Sequence, residues 1–147
     1  MEVNLPETIV VPLEEAYVDE RGIIQNLVHH TIGSAVIIHS EAGAVRAEHW
    51  HKDDFHYCYL ISGRLIYLER PVGSDAEPRK KIIEPGTLFF TGPKVEHSMY
   101  FLEKSVFVTL GGLSRTHESY ESDLVRLVSR LVDIPSVKKY ISECTKK

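Results

Sequence analysis

The sequence predicts an all-β fold, an antiparallel sandwich or barrel finished by short C-terminal helices. Three observations carry this. Short β-branched runs recur along the chain with Gly, Pro, Asn and Asp turn signals at close intervals. The stretch Gly43 to Gly63 holds two strand-like runs, one around His49-Trp50-His51 and one over His56-Tyr57-Cys58-Tyr59-Leu60-Ile61, joined by Lys52-Asp53-Asp54-Phe55. In the tail the apolar period changes from that of a strand to that of a helix. The chain therefore divides into a β-barrel over residues 1–120 and a helical appendage over residues 121–147, packed on the barrel or on a partner subunit.

Composition narrows the function. At 147 residues, 43% hydrophobic and 26% charged, the chain is one globular domain. A net charge of -4 leaves no basic excess to neutralise phosphates, which argues against a nucleic-acid binder. Cys58 and Cys144 do not make a disulfide framework, and with an N-terminus (Met1-Glu2-Val3-Asn4-Leu5-Pro6) unlike a signal peptide they point to a reduced, cytoplasmic setting. No apolar run approaches the roughly 20 residues of a membrane helix.

In chain order, Thr8 to Leu13 is an edge or entry strand stopped by Pro12. Asp19-Glu20-Arg21-Gly22 is a turn, Ile23 to Val28 a strand, and Ser34 to Ser40 another. His29, His30, His39 and His117 fall at strand ends or in polar segments and are expected at the surface or rim. Arg64 to Arg70 follows Gly63 as a strand, Pro71 to Arg79 is an exposed loop, and Lys80 to Ile83 leads to Pro85-Gly86 and the strand Thr87 to Thr91. His97 to Phe101 and Ser105 to Leu110 are the last strong strands. Leu124, Leu127, Val128 and Leu131 follow helical spacing, Pro135 breaks that helix, and Ser136 begins a second through Tyr140 and Ile141.

On a strand His49 and His51 share a face, about 6.6–6.8 Å apart. The hairpin adds His56 to the same neighbourhood. Tyr57 and Tyr59 alternate with His56 and Cys58, so they face away from that site and serve packing or a dimer interface. Cys58 shares the His56 face as a buried inert thiol, Trp50 faces outward, Phe90, Met99 and Phe101 line the interior, and Glu48 and Lys52 sit on a solvated rim.

Gly43, His49-x-His51, His56 and Gly63 match the first cupin motif in spacing, with His56 where that motif usually has Glu. Pro85-Gly86, Gly92 and His97 resemble the second, with Gly92 and Lys94 in slots that more often hold Pro and Gly. The resemblance implies a cupin, a double-stranded β-helix or jelly-roll barrel, whose His49, His51, His56 and His97 meet in one pocket. Neutral imidazole is a common ligand for Zn, Fe, Ni and Cu, so this set is expected to hold a divalent transition metal, with Zn, Fe, Ni or Mn as the candidates. A His in place of Glu removes a negative charge and favours an anionic or enolate-like substrate. A metal-free pocket in which a histidine acts as a base is the other reading.

A narrower likeness extends from Asp19 to Arg126. The chain is similar to the RmlC-like sugar-nucleotide cupins, the dTDP-4-keto-sugar 3,4-ketoisomerases and 3,5-epimerases, in Asp19-Glu20-Arg21-Gly22, in Arg46 ahead of His49-Trp50-His51-Lys52, in Gly92-Pro93-Lys94-Val95-Glu96-His97-Ser98-Met99, and in the closing segment Glu118 to Arg126. This implies His49 and His51 as catalytic acid/base residues that move a proton next to a ketone. Arg46 is then a substrate-binding residue, holding a phosphate oxygen or the developing oxyanion, unless it forms a rim ion pair with Glu48 or Asp53; Lys52 is the second substrate-binding candidate. The expected function is isomerisation or epimerisation of a nucleotide sugar in polysaccharide biosynthesis, by a homodimer. A metal-dependent dioxygenase and a non-enzymatic binding cupin are the alternatives.

Overall fold

The computed structural model describes residues 4–146. Met1 to Val3, part of the stretch read above as lacking a targeting signal, lie outside the described residues. The strands are β1 (Val10–Val11), β2 (Tyr17–Asp19), β3 (Gly22–Ile24), β4 (Ser34–Ser40), β5 (Val45–His51), β6 (His56–Pro71), β7 (Arg79–Ile83), β8 (Leu88–Thr91), β9 (Val95–Gly111) and β10 (Leu124–Arg126). Two helices, α1 (His117–Asp123) and α2 (Pro135–Thr145), and a 3-10 turn over Leu131–Asp133 complete the chain. The main sheet runs β1-β8-β6-β9-β5-β10, with β4 added on β9 and β7 on β6. β2 and β3 form a separate hairpin.

The long antiparallel pair β6 and β9 is the spine, running from His56 opposite Gly111 to Pro71 opposite Val95. Each of these strands was expected as two pieces. The breaks are irregularities in the pairing between Leu60 and Leu65, which bend the strands without ending them. Gly63 makes this bend possible: its φ is +92°, and a Cβ there would meet the Ser105 Oγ at 2.1 Å and the Lys104 carbonyl at 2.5 Å.

Alternation along the spine sorts the core. Cys58, Leu60, Leu65, Tyr67, Met99, Phe101 and Phe107 fill the barrel interior. Ile66 and Leu68 point outward, where Leu131, Val132 and Val137 cover them. Tyr57, Leu88 and Phe90 form a third cluster under the N-terminal segment, against Leu5, Val11 and Leu13. Phe90 thus packs outside the barrel rather than inside, because β8 turns it toward Tyr57, 4.8 Å away between ring centres.

The tail departs from expectation. Leu124 to Leu131 is not a helix: Leu124, Val125 and Arg126 pair with His51, Trp50 and His49. The edge of β5 otherwise carries unpaired backbone groups, and satisfying them outweighs the helical periodicity. Val128, a member of the periodic set, is fully exposed. Pro135 begins α2 as a first-turn residue, where its missing N–H costs nothing. Ile23 to Val28 is also shorter as a strand than expected, ending at Ile24.

Candidate functional site

His49 and His51 reach the interior through a bulge in β5. Arg46 pairs with Met99 and His49 with His97, so two residues, Ala47 and Glu48, oppose Ser98 alone. Both are left-handed, with φ of 68° and 59°. For residues with a side chain this conformation costs about 1–2 kcal/mol each. The extra residue reverses the side-chain parity, so Arg46, His49 and His51 all face inward although their spacing on a regular strand would separate them. Glu48 is not on a solvated rim. It is half-buried, accepting hydrogen bonds from the Ser98 hydroxyl at 2.8 Å and from the Leu131 and Val132 amides at 2.7 and 3.2 Å.

Four imidazoles gather. The His49 ring centre lies 4.8 Å from that of His51 and 4.7 Å from that of His97, both edge-to-face, and His51 lies 4.6 Å from His56. They divide into two groups sharing His51. The nitrogens of His49, His51 and His97 lie within 4.8 Å of one another, and so do ligand atoms of His51, Asp54 and His56. Either group has the donors to hold a metal ion. Gly111 makes room for His56, since a Cβ at 111 would lie 3.2 Å from its ring.

Hydrogen bonds fix which nitrogen is free. His51 donates from Nδ1 to Asp123 Oδ2 at 3.0 Å, and its Nε2 is buried without a partner. His97 donates from Nδ1 to the Val95 carbonyl at 3.0 Å. His56 Nε2 meets Asp54 Oδ2 at 3.0 Å. Asp123 also accepts the Asp53 amide at 2.8 Å, and Asp54 accepts those of Phe55 and Leu113 at 2.8 and 2.9 Å, so both carboxylates brace the turn between β5 and β6. Burial, followed by the nearby His51 and His56 charges, lowers the pKa of His49 to about 3. Burial also lowers His51, against the opposing pull of Asp123, and holds His97 well below the ordinary histidine value. Burial raises Asp54, but the His56 hydrogen bond and the amides outweigh it and leave it lowered.

The cluster opens into a cavity of about 110 Å³ whose wall includes Arg46, His49, His56, Cys58, His97, Arg115 and Tyr120. His51, only 1% exposed, lies behind this wall. Arg46 binds neither Glu48 nor Asp53: it donates to the Ser40 hydroxyl at 2.6 Å and the His39 carbonyl at 2.9 Å. Lys52 donates to the Ser122 carbonyl at 3.1 Å and lines a separate groove with Ser114 and Ser119. Cys58 is buried against Thr109, and burial pushes its thiol up to about 12, consistent with an inert role. His29, His39 and His117 are exposed, and half-buried His30 packs on Phe55.

Asp54, Asp123, Arg115 and Tyr120 were not singled out in the sequence. Asp123 lies inside the closing segment noted above, but nothing in its position announces a contact with His51 across 72 residues of chain; Asp54 lies only two residues before its partner His56, in a stretch read simply as a turn. Tyr120 lies in the same closing segment, and Arg115 carries no motif.

No family model matches the sequence, and no curated protein matches it. Solved structures do. A double mutant of the 3,4-ketoisomerase QdtA from Thermoanaerobacterium thermosaccharolyticum, in complex with TDP, has TM-score 0.62 and 20% identity over 76% of this chain and 82% of its own. The dTDP-4-dehydrorhamnose 3,5-epimerase from Sulfolobus tokodaii has TM-score 0.66 and 14% identity over 87% of both chains. The fold is that of the RmlC-like cupins. The capsular polysaccharide assembling protein CapF from Staphylococcus aureus shares it at TM-score 0.59 and 17% identity, over 79% of this chain and 34% of CapF. His49, His51, His56 and His97 come together inside the barrel, and His56 has Asp54 as its partner.

Proposed function

We propose that this cupin is an isomerase or epimerase of a nucleotide-linked keto sugar, in sugar-nucleotide or surface-polysaccharide metabolism. The carrying observation is His49: a neutral, nearly buried imidazole on the wall of a small cavity, edge-to-face with His51 and His97. The names of the ketoisomerase and epimerase with the same fold support the reading. His49 removes a proton from the carbon beside a ketone. The C–H electron pair becomes the enediolate double bond, and the carbonyl oxygen takes up the negative charge. Arg46 faces that oxygen with a charge-assisted donor. His51, its proton held on Nδ1 by Asp123, fixes the orientation of the pair. For isomerisation the proton returns to the former carbonyl carbon while the neighbouring hydroxyl passes its own proton to the enediolate oxygen and becomes the new ketone; for epimerisation it returns to the same carbon on the opposite face. Incubation with dTDP-4-keto-6-deoxyglucose in deuterated water should place deuterium at C3 or C5; no uptake at either counts against this reading.

A second reading has its own support. The orphaned, buried Nε2 of His51, its ring oriented by a carboxylate, fits a metal ligand. His49, His51 and His97 would hold a divalent Zn, Fe, Ni or Mn ion, with His56 and Asp54 alongside. Such an ion supplies Lewis-acid polarisation of a substrate carbonyl. Elemental analysis of protein purified without a histidine tag tests it: a stoichiometric metal lost on His97→Ala supports the reading, and metal-free protein that still exchanges deuterium sinks it.

The same reading includes a homodimer. The β2-β3 hairpin exposes Tyr17, Val18, Ile23 and Ile24, each 61–68% accessible, on a ribbon unpaired with the barrel.

A further inference from the structure

The proton transfer described above leaves His56 without a part. His56 stands where the first cupin motif usually has Glu, and it lines the cavity together with His49 and His97. Its Nε2 meets Asp54 Oδ2 at 3.0 Å, and the two side chains are 9% and 6% exposed. Asp54 is held in turn. Its Oδ1 accepts the Phe55 amide at 2.8 Å and the Leu113 amide at 2.9 Å, so the carboxylate cannot swing away from the ring. The His56 Nδ1 has no hydrogen-bond partner among the described residues, and it is not sealed off as the Nε2 of His51 is. The ring therefore offers the cavity one open nitrogen, with a fixed carboxylate behind the other.

Isomerisation needs a group of this kind. Moving a ketone from C4 to C3 shifts one proton between carbons and another between oxygens. His49 serves the carbons. The oxygens need a group that takes up one proton and gives one back within reach of both. The other polar groups of the wall fall short. Arg46 and Arg115 do not release a proton. Cys58 is 1% exposed and bound to Thr109. His97 has its N–H on a backbone carbonyl, which adds no charge to balance a cationic ring. The Tyr120 phenol, raised by burial, has no acceptor among the described residues through which to relay a proton. We infer that His56, backed by Asp54, is the catalytic residue that carries the hydroxyl proton from one substrate oxygen to the other, which makes the site that of an isomerase. Nδ1 takes the proton of the C3 hydroxyl and delivers one to the C4 oxygen; whichever comes first, the Asp54 carboxylate stabilises the imidazolium. The electron pair left on the C3 oxygen becomes the new C=O bond, and the C=C pair takes the proton from His49 at C4. An epimerase returns its proton to the same carbon and has no use for this transfer. The inference rests on the proton-transfer reading of the same cavity and deepens it.

The experiment incubates the wild type, His56→Gln, Asp54→Asn and Tyr120→Phe with dTDP-4-keto-6-deoxyglucose in deuterated water. NMR reads two rates, deuterium uptake at C3 and appearance of the 3-keto isomer. His56→Gln should slow isomer formation about 100-fold or more while C3 uptake falls by no more than about tenfold, because His49 still forms and reprotonates the enediolate. Asp54→Asn keeps the acceptor for both amides and should show the same split with a smaller loss. Equal loss of both rates in His56→Gln marks a structural role and overturns the proposal. An unchanged isomer rate in His56→Gln, or the split appearing in Tyr120→Phe instead, also overturns it. Wild-type uptake with no 3-keto isomer overturns it and leaves the proton-transfer reading standing as an epimerase. No wild-type uptake at C3 or C5 removes that reading and this one together.

Discussion

Single contacts decide what the imidazoles can do. The Asp123 carboxylate keeps the His51 proton on Nδ1 and turns Nε2 toward its neighbours. Asp123→Asn retains the shape and one acceptor but weakens this preference. It should slow deuterium exchange or lower metal affinity about 10–100-fold with little change in melting temperature, read by exchange kinetics and metal titration. Gly111 is the complementary case. Its missing Cβ leaves space that His56 and Ser34 occupy, with the Ser34 Oγ 2.6 Å from where that Cβ would be. Gly111→Ala should cost about 1–3 kcal/mol in urea unfolding, and its His56 ring resonances should shift in NMR spectra. These residues explain why the sequence was only partly legible. Histidines at motif spacing announce themselves, whereas Asp123, which orients His51, is 72 residues away in the chain and gives no local signal, and Asp54 beside His56 reads as an ordinary turn residue.

At the scale of elements, the β5 bulge is the feature that builds the site. Two left-handed residues bring Arg46 and His49 to the same face, and Glu48 secures the bulge to the 3-10 turn through the Leu131 and Val132 amides. Ala47→Gly removes a steric cost and should raise stability by up to about 1 kcal/mol, offset in part by the freer unfolded chain. Glu48→Ala strands two amides and should lower it by about 1–3 kcal/mol while loosening the C-terminal segment, seen as faster amide exchange in Leu131–Asp133. Periodicity could not reveal the bulge, because an added residue is invisible until its partner strand is known. The same blindness misread Leu124 to Leu131: helical spacing was present, but the unpaired edge of β5 recruited the segment as β10. By contrast β4, β8 and the β5-β6 hairpin were readable from β-branched and aromatic runs and turn chemistry, since these signals are set locally, whereas β7 was read only as a lead-in to Pro85-Gly86.

For the whole molecule, three buried neutral histidines make folding depend on pH. His49, His51 and His97 have lowered values in the folded state and regain ordinary ones near 6.5 on unfolding. The unfolded chain therefore binds more protons below that value. Stability is fully present above about pH 6.5 and is lost as pH falls toward 3, at up to about 1.4 kcal/mol per pH unit for each histidine. Urea midpoints that stay constant from pH 7 to 5 would show that the histidines are not buried neutral. The exposed β2-β3 hairpin bears on assembly: sedimentation should give a dimer, and Ile23→Asp should shift it toward monomer without unfolding the barrel. The spine pairing also sets an order of events during synthesis. All four imidazoles have left the ribosome once His97 emerges, but β9 must continue to Gly111 to close against His56, and Asp123 comes later still. A nascent chain halted between these points carries every ring of the reactive centre and lacks the residue that tells His51 which nitrogen bears hydrogen, so chemical competence arrives only after the barrel has closed.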